Sequence, residues 1–161
     1  MTSQVSTYSE PLNAVEVWGR LLRGHAGVAR ELTASLQAEH GLTINDYEAL
    51  LLLSKAEERS LRRIDLASRL VLTASGVTRL LDGLERAGWV AKRNCESDAR
   101  VTYAVLTDAG RAKLDEAACS HVAHIRALLE ERYSCAELQT LTELLARLPG
   151  ASEPSSCTPP A

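Results

Sequence analysis

The chain has 161 residues, a hydrophobic fraction of 45% and a net charge of −3, which fit one globular domain with its own core rather than a disordered chain. No window approaches the roughly 18 apolar residues of a membrane span, and residues 1–10 lack the basic and apolar regions of a secretion signal, so we expect a cytoplasmic protein. The cysteines lack paired close spacing, which predicts reduced thiols at Cys95, Cys119, Cys135 and Cys157.

Residues 1–8 are predicted to form a flexible arm before a long helix that begins near Ser9 and Pro11 and runs to about residue 40. Apolar side chains recur every three or four residues and predict a packing seam of Val15, Trp18, Leu22, His25, Ala29, Leu32 and Leu36. Gly24 and Gly27 each lower helix propensity by about 1 kcal/mol relative to alanine. They indicate a bend or the close approach of another backbone.

A second helix follows the stretch 43–46, Thr-Ile-Asn-Asp, which resembles a capping box with Asp in place of Glu. Its predicted inner face consists of Tyr47, Leu50, Leu51 and Ser54. A charged loop, 55–60, should connect this helix to the next segment. We expect the second helix to support the segment that follows.

Two further helices are predicted close together. Residues 64–70 form the first, and a tight connection through Val71 and Leu72 leads to Thr73, a good N-cap for the second. The second helix should end near Ala87, because Gly88 fits a left-handed C-terminal stop. Its buried face comprises Val77, Leu80, Leu81 and Leu84. The pair predicts a helix-turn-helix.

The opposite face of the second helix of this pair carries the small residues Ala74, Ser75 and Thr78, followed by Arg79. Small side chains let a helix end enter a major groove, where hydroxyls and a guanidinium can reach phosphates and base edges. This face therefore predicts a DNA-recognition helix.

Two β-branched, alternating stretches, 89–93 and 101–106, flank a polar segment at 94–100 and predict a β-hairpin wing. Between Arg59 and Arg100, nine Lys and Arg residues face five Asp and Glu residues, a local charge of +4 that leaves −7 elsewhere. The positive charge lies on the predicted helix-turn-helix and wing, which we call the reading module, as nucleic-acid binding requires.

The C-terminal part is again helical. Thr107 should cap a helix whose stripe comprises Leu114, Ala118, His121, Ile125, Leu128 and Arg132. The stretch 134–137, Ser-Cys-Ala-Glu, is a capping box for a last helix with Leu138, Leu141, Leu145 and Leu148. Both chain ends thus carry more apolar surface than one winged domain covers, which predicts a homodimer. Residues 149–161 are predicted to form a disordered tail.

Several segments together resemble the MarR (multiple antibiotic resistance regulator) family of winged helix-turn-helix transcription factors. They are Asp65–Ala67, Gly76–Leu80, Leu84–Val90, Asp98–Arg100 and Val105–Gly110. Where the family often has Asp-Arg-Arg at the wing tip, this chain has Ala99 in the middle. The resemblance implies a mainly α fold with a small β-hairpin wing, dimerisation helices at 9–40 and 108–148, and a winged helix-turn-helix at 43–106.

The resemblance also implies a function: a sequence-specific DNA-binding transcriptional regulator, a ligand-responsive repressor that binds a pseudo-palindromic operator as a homodimer. Asp98 would orient Arg100 for the minor groove. The full set of expected DNA-contacting residues is Thr73, Ala74, Ser75, Thr78, Arg79, Lys92, Arg93, Asp98 and Arg100. No membrane partner is expected.

In this family, resemblance places small aromatic or phenolic anions between the dimer helices and the reading module, which makes Trp18, Leu22, His25 and Tyr47 the candidate effector residues. The alternative is that Trp18 and His25 pack against the partner subunit. Of the two readings, packing against the partner is the one we favour for both residues, and more so for His25.

Other forms of regulation remain open. His121, His124 and Cys119 invite a metal-sensing hypothesis, but they lack a fourth ligand at local spacing, so we expect no metal site. Modification of Cys95 on the wing would allow redox regulation. The chain shows no phosphate loop, nucleophile elbow or catalytic triad, so we expect neither enzymatic activity nor a cofactor. A protein-interaction module without DNA binding is the alternative class.

Overall fold

The computed structural model describes residues 14–94 and 101–151. Six α-helices and three β-strands occur in these residues: α1 (Ala14–His40), α2 (Ile44–Lys55), β1 (Ser60–Arg62), α3 (Arg63–Arg69), α4 (Ala74–Arg86), β2 (Val90–Asn94), β3 (Thr102–Leu106), α5 (Asp108–Glu130) and α6 (Cys135–Leu145). The predicted fold class is confirmed. None of the described helices combines the length and apolarity that crossing a membrane would need. The predicted arm, the start of the first helix, the wing tip and residues 152–161 lie outside the described residues.

The strands form an antiparallel sheet in the order β1-β3-β2. Strands β2 and β3 are the predicted hairpin, with Val90 opposite Leu106 and Asn94 opposite Thr102. The predicted loop at 55–60 was wrong at both ends, because α2 includes Lys55 and Ser60 begins β1, which pairs with the other edge of β3. A three-residue strand is too short to show alternation, and it is held by its pairing with β3 and by Leu61, which packs against the core.

Helix α2 lies at the centre of the core. Its capping box is present, with Thr43 and Asp46 each accepting a hydrogen bond from the other's backbone N–H. The predicted inner face is buried at Tyr47, Leu50 and Leu51. These side chains belong to one apolar cluster with α3, α4, β3 and α5, through Leu66, Leu70, Val77, Leu81, Leu84, Ala104, Leu106 and Leu114. Each fully buried leucine of this kind contributes about 1.5–3 kcal/mol to the free energy of folding, so this cluster holds the helices and strands of the reading module in place.

The end of α4 sets the entry into the wing. Gly88 adopts a φ of +77°. The Trp89 N–H donates to the Leu84 carbonyl at 2.9 Å, and the Gly88 N–H donates to Glu85 at 2.9 Å. This pair of bonds is a Schellman motif, which confirms the predicted left-handed stop at Gly88.

The turn between α3 and α4 contains a strained residue. Val71 has a φ of +53°, in the left-handed region that β-branched side chains disfavour, and it is 91% exposed. Its side chain therefore gains little packing energy in return for this conformation.

We expect Val71→Gly to raise the free energy of unfolding by roughly 0.5–1 kcal/mol, because relief of the backbone strain exceeds the entropy cost of glycine. Urea denaturation at a fixed protein concentration measures the change. Val71→Ala, which retains a Cβ, is the matched control and should gain less. A glycine variant less stable than the wild type would contradict this reading of the turn.

The two ends of the chain pack only partly within one subunit. The C-terminal half of α1 packs on α5, where Leu32 and Leu36 are buried and His40 contacts Glu116 and Ser120. The predicted seam continues along α1, but Val15, Trp18 and Leu22 are exposed. Space around Gly24 and Gly27 is open, since a Cβ at either would meet no atom of the described residues within 4 Å. Close approach to these glycines would therefore have to come from outside the described part of the chain.

Helix α6 begins at the predicted capping box, in which the Ser134 and Glu137 side chains accept from each other's backbone N–H groups. It ends at Leu145, three residues earlier than predicted, and the chain then turns through residues 146–151. None of its residues is buried within one chain. Of its predicted leucine stripe, Leu138, Leu141 and Leu145 are half-buried in the single chain and Leu148 is exposed.

Candidate nucleic-acid interface

Helix α4 presents a polar face to solvent because its apolar face is fully used by the core. Val77, Leu81 and Leu84 are buried. The predicted contact residues Ala74, Ser75 and Arg79 lie on the exposed side of the helix. The core therefore holds one face of α4, and the opposite, exposed face can enter a groove of DNA.

Arg79 is the most available cation on this surface. Its side chain is exposed, and within residues 14–94 and 101–151 it has no ion pair or hydrogen bond. A guanidinium without a protein partner retains all five N–H donors for a base edge or a phosphate.

Thr73 has a structural role at the start of α4. Its hydroxyl oxygen accepts a hydrogen bond from the Gly76 N–H at 3.1 Å, which confirms the predicted N-cap. The Ser75 hydroxyl lies 3.2 Å from the Thr73 hydroxyl and is exposed. Either hydroxyl can donate to a phosphate placed at the helix N-terminus.

The Thr78 hydroxyl makes two hydrogen bonds within the protein that the sequence did not predict. Its hydroxyl donates to the Ala74 carbonyl at 2.8 Å and accepts from the Arg63 guanidinium. Since a hydroxyl has one proton, Thr78 has no donor left for DNA. Sequence reasoning missed Arg63, whose position opposite α4 depends on how β1 and α3 pack.

A groove of about 660 Å³ separates α3 from the N-terminus of α4 and the start of β3. Both arginines at the β1–α3 junction, Arg62 and Arg63, line it together with Ile64, Ser68, Ala74 and Thr102. Arg62 already forms a two-pronged ion pair with Asp65, with distances of 2.7 and 3.2 Å. The groove therefore joins the recognition helix to the base of the wing.

The two predicted cations on β2 are paired within the protein. The Lys92 ammonium lies 2.7 Å from the Glu85 carboxylate and 3.0 Å from Asp82, and hydrogen bonds to these two groups raise the pKa of Lys92. Arg93 lies 3.3 Å from Glu58 and 5.7 Å from the centre of the Tyr103 ring. Their predicted phosphate contacts remain predictions, and both would require these exposed pairs to open.

The predicted minor-groove pair, Asp98 and Arg100, and the proposed redox residue Cys95 lie outside the described residues. Cys119 and Cys135 are both exposed free thiols. Across the described ranges, no three His, Cys, Asp or Glu side chains are placed to hold a metal ion.

The predicted effector residues occupy two environments. Trp18, Leu22 and His25 lie on the exposed face of α1, and His25 is within electrostatic reach of Glu48 on α2. Tyr47 is buried, with its ring centre 4.3 Å from that of His121. Burial, assisted by the nearby charge of His124, lowers the pKa of the His121 imidazole. Within one chain, Tyr47 therefore belongs to the core, whereas Trp18, Leu22 and His25 are exposed.

The elements from α2 to β3 form a helix-turn-helix with a β-stranded wing, and the exposed face of its second helix is polar and carries Arg79, which has no partner among the described residues. This combination defines a winged helix-turn-helix DNA-binding protein.

The comparison with known proteins specifies the class further. A model of the MarR family matches residues 42–102. The chain is similar to the HTH-type transcriptional repressor YetL of Bacillus subtilis, with 34% identity over 69% of this chain and 66% of YetL. It is also similar to YdgJ, an HTH-type transcriptional regulator of the same organism, with 30% identity over 76% of this chain and 73% of YdgJ.

Among solved structures, the fold is similar to Sco3205, a MarR family transcriptional regulator from Streptomyces coelicolor in complex with DNA. The TM-score is 0.76 at 29% identity, and the match covers 90% of this chain and 92% of Sco3205. The chain belongs to the MarR family and is a DNA-binding transcriptional regulator.

Proposed function

We propose that the protein is a homodimeric repressor that binds a pseudo-palindromic operator and releases it when a small aromatic or phenolic anion binds. The observation that supports DNA recognition is Arg79, which lies on the exposed face of α4 and forms no ion pair or hydrogen bond within the part of the chain that the structure describes; the other face of the helix is buried in the core. Similarity to a repressor, YetL, supports the direction of regulation.

The apolar surface at the chain ends supports the homodimer. Large hydrophobic side chains are exposed on both end segments: Val15, Val17, Trp18 and Leu22 on α1, with Tyr133, Leu144 and Leu148 around α6. Contiguous apolar patches on a soluble protein mark interaction sites, and a second copy offers a matching patch through two-fold symmetry. Two recognition helices would then read half-sites about one helical turn apart.

Effector binding is proposed for the junction of α1 and α2 with the partner subunit. Within one chain, a cleft between α1 and α5 measures only about 120 Å³, below the roughly 300 Å³ of typical ligand pockets, and it is lined by other residues, among them Leu32 and His124. A larger cavity would need the partner to cover Trp18 and Leu22. The ligand can shift the equilibrium only if it binds the DNA-free geometry more tightly than the DNA-bound one.

The test of DNA binding is selection of duplexes from a random library with the purified protein, followed by affinity measurements across a salt series. We expect a near-palindromic consensus and an affinity that falls steeply with salt, because phosphate contacts release counterions. Light scattering should give the mass of two chains at micromolar concentration. A monomeric protein, or DNA binding without a consensus, would refute the proposal.

The effector test is fluorescence titration of Trp18 in a Trp89→Phe background with a panel of aromatic carboxylates and phenols, alongside operator binding. A ligand that quenches Trp18 should lower operator affinity roughly 5- to 150-fold. If quenching ligands leave operator affinity unchanged, the predicted site does not control DNA binding.

A further inference from the structure

The groove between α3, α4 and β3 has a chemistry of its own. Arg63 is half-buried in it and donates to the Thr78 hydroxyl, while its other N–H groups have no acceptor among the described residues. Thr78 in turn is anchored to the Ala74 carbonyl at 2.8 Å. This chain of two hydrogen bonds fixes one end of the guanidinium of a residue that lines the groove, and the other donors have no partner in the described part of the chain.

The neighbouring groups favour an anion. Ala74 lies at the N-terminus of α4, where first-turn N–H groups lack intrahelical acceptors and the helix dipole attracts negative charge. Ser68 and Thr102, two hydroxyl-bearing residues, line the same groove. Arg62, by contrast, is already neutralised by Asp65. Arg63 is therefore the cation that can neutralise a charge entering this space.

We propose that this groove holds the phosphodiester backbone of one DNA strand where it passes from the recognition helix to the wing, and that Arg63 is its phosphate-binding residue. Thr78 acts through Arg63, as a positioning residue, rather than by touching DNA. The inference rests on the proposed operator binding. A strand backbone suits a groove lined by Ala74, which also lies on the exposed face of α4, because the DNA must run across both.

The test is a double-mutant cycle with Arg63→Ala, Thr78→Val and the combined variant, using the operator and a random duplex at several salt concentrations. Arg63→Ala should weaken binding to both duplexes about tenfold or more, since charge-assisted hydrogen bonds are strong, and should lower the salt slope by about 1. Thr78→Val should weaken binding in the wild-type background and add little once Arg63 is absent. Thermal unfolding of each variant verifies that it is folded.

Arg62→Ala is the matched control, because it removes the same charge from the same groove. It should cost less affinity than Arg63→Ala. Three outcomes would each overturn the assignment while leaving operator binding intact. The two variants could lose equal affinity, Arg63→Ala could leave the salt slope unchanged, or the effect of Thr78→Val could be independent of Arg63. A wild-type protein that binds no DNA would refute both this inference and the proposed function.

Discussion

Replacing Gly110 with alanine is expected to destabilise the protein by about 3 kcal/mol or more, a large part of the roughly 5–15 kcal/mol typical of a domain. Gly110 is buried in the first turn of α5. An added Cβ would overlap the Trp89 carbonyl oxygen and would lie 2.8 Å from the Leu106 side chain. Because the main obstacle is backbone, a change of side-chain rotamer cannot relieve the clash.

The clash falls on a junction that connects the recognition helix, the wing and α5. The Trp89 carbonyl accepts from the Thr107 N–H at 3.1 Å, and the Thr107 hydroxyl donates to the Gly88 carbonyl at 2.7 Å. Moving Trp89 away from the new methyl would break these bonds and disturb the Schellman motif at the end of α4. We therefore expect Gly110→Ala to weaken operator binding even in the fraction that remains folded.

Urea denaturation of Gly110→Ala at fixed protein concentration measures the loss. Gly83→Ala is the matched control, since Gly83 is also a helical glycine and its added Cβ meets nothing within 4 Å. That substitution should stabilise α4 by roughly 0.5–1 kcal/mol through helix propensity. If both variants unfold at the wild-type urea midpoint, the clash expected at Gly110 does not occur.

Arg79→Ala is expected to lower operator affinity by about 1–3 kcal/mol, roughly 5- to 150-fold, because an exposed guanidinium on the recognition face can bond a base edge with two N–H groups. The effect should be largest for the selected operator and smaller for random DNA. Fluorescence anisotropy with both duplexes at matched salt gives the ratio of the two affinities, which measures specificity.

Arg86→Ala and Arg79→Lys separate charge from recognition. Arg86 lies on the same helix but at its C-terminal end, where its guanidinium donates to the Asp82 carbonyl at 3.1 Å. Its loss removes one positive charge and should leave specificity unchanged. Arg79→Lys preserves the charge without the planar fork, so it should bind random DNA normally and discriminate poorly. Unchanged specificity in both Arg79 variants would mean that Arg79 contacts no base.

The elements that sequence alone predicted well are those whose signals are local. Thr43, Thr73, Thr107 and Ser134 each cap a helix through a bond to a backbone N–H three residues later. Gly88 ends α4 within the same few residues. Helical periodicity likewise depends on neighbours three and four positions apart. The helix-turn-helix, the wing and the family resemblance could therefore be read from consecutive residues.

The tertiary structure decided which of the polar residues remain free to bind DNA. Arg63 meets Thr78 across 15 positions and Lys92 meets Asp82 across 10, and these contacts exist only after α3 and β2 have packed beside α4. Strand β1 and the close approach at Gly110 also depend on distant partners, β3 and Trp89. The sequence by itself determined the helices, their caps and the reading module, because those interactions are completed within a turn or two. Only folding could assign Arg63 to the groove, pair Lys92 with carboxylates and leave Arg79 exposed, because each outcome depends on the relative placement of elements far apart in the chain.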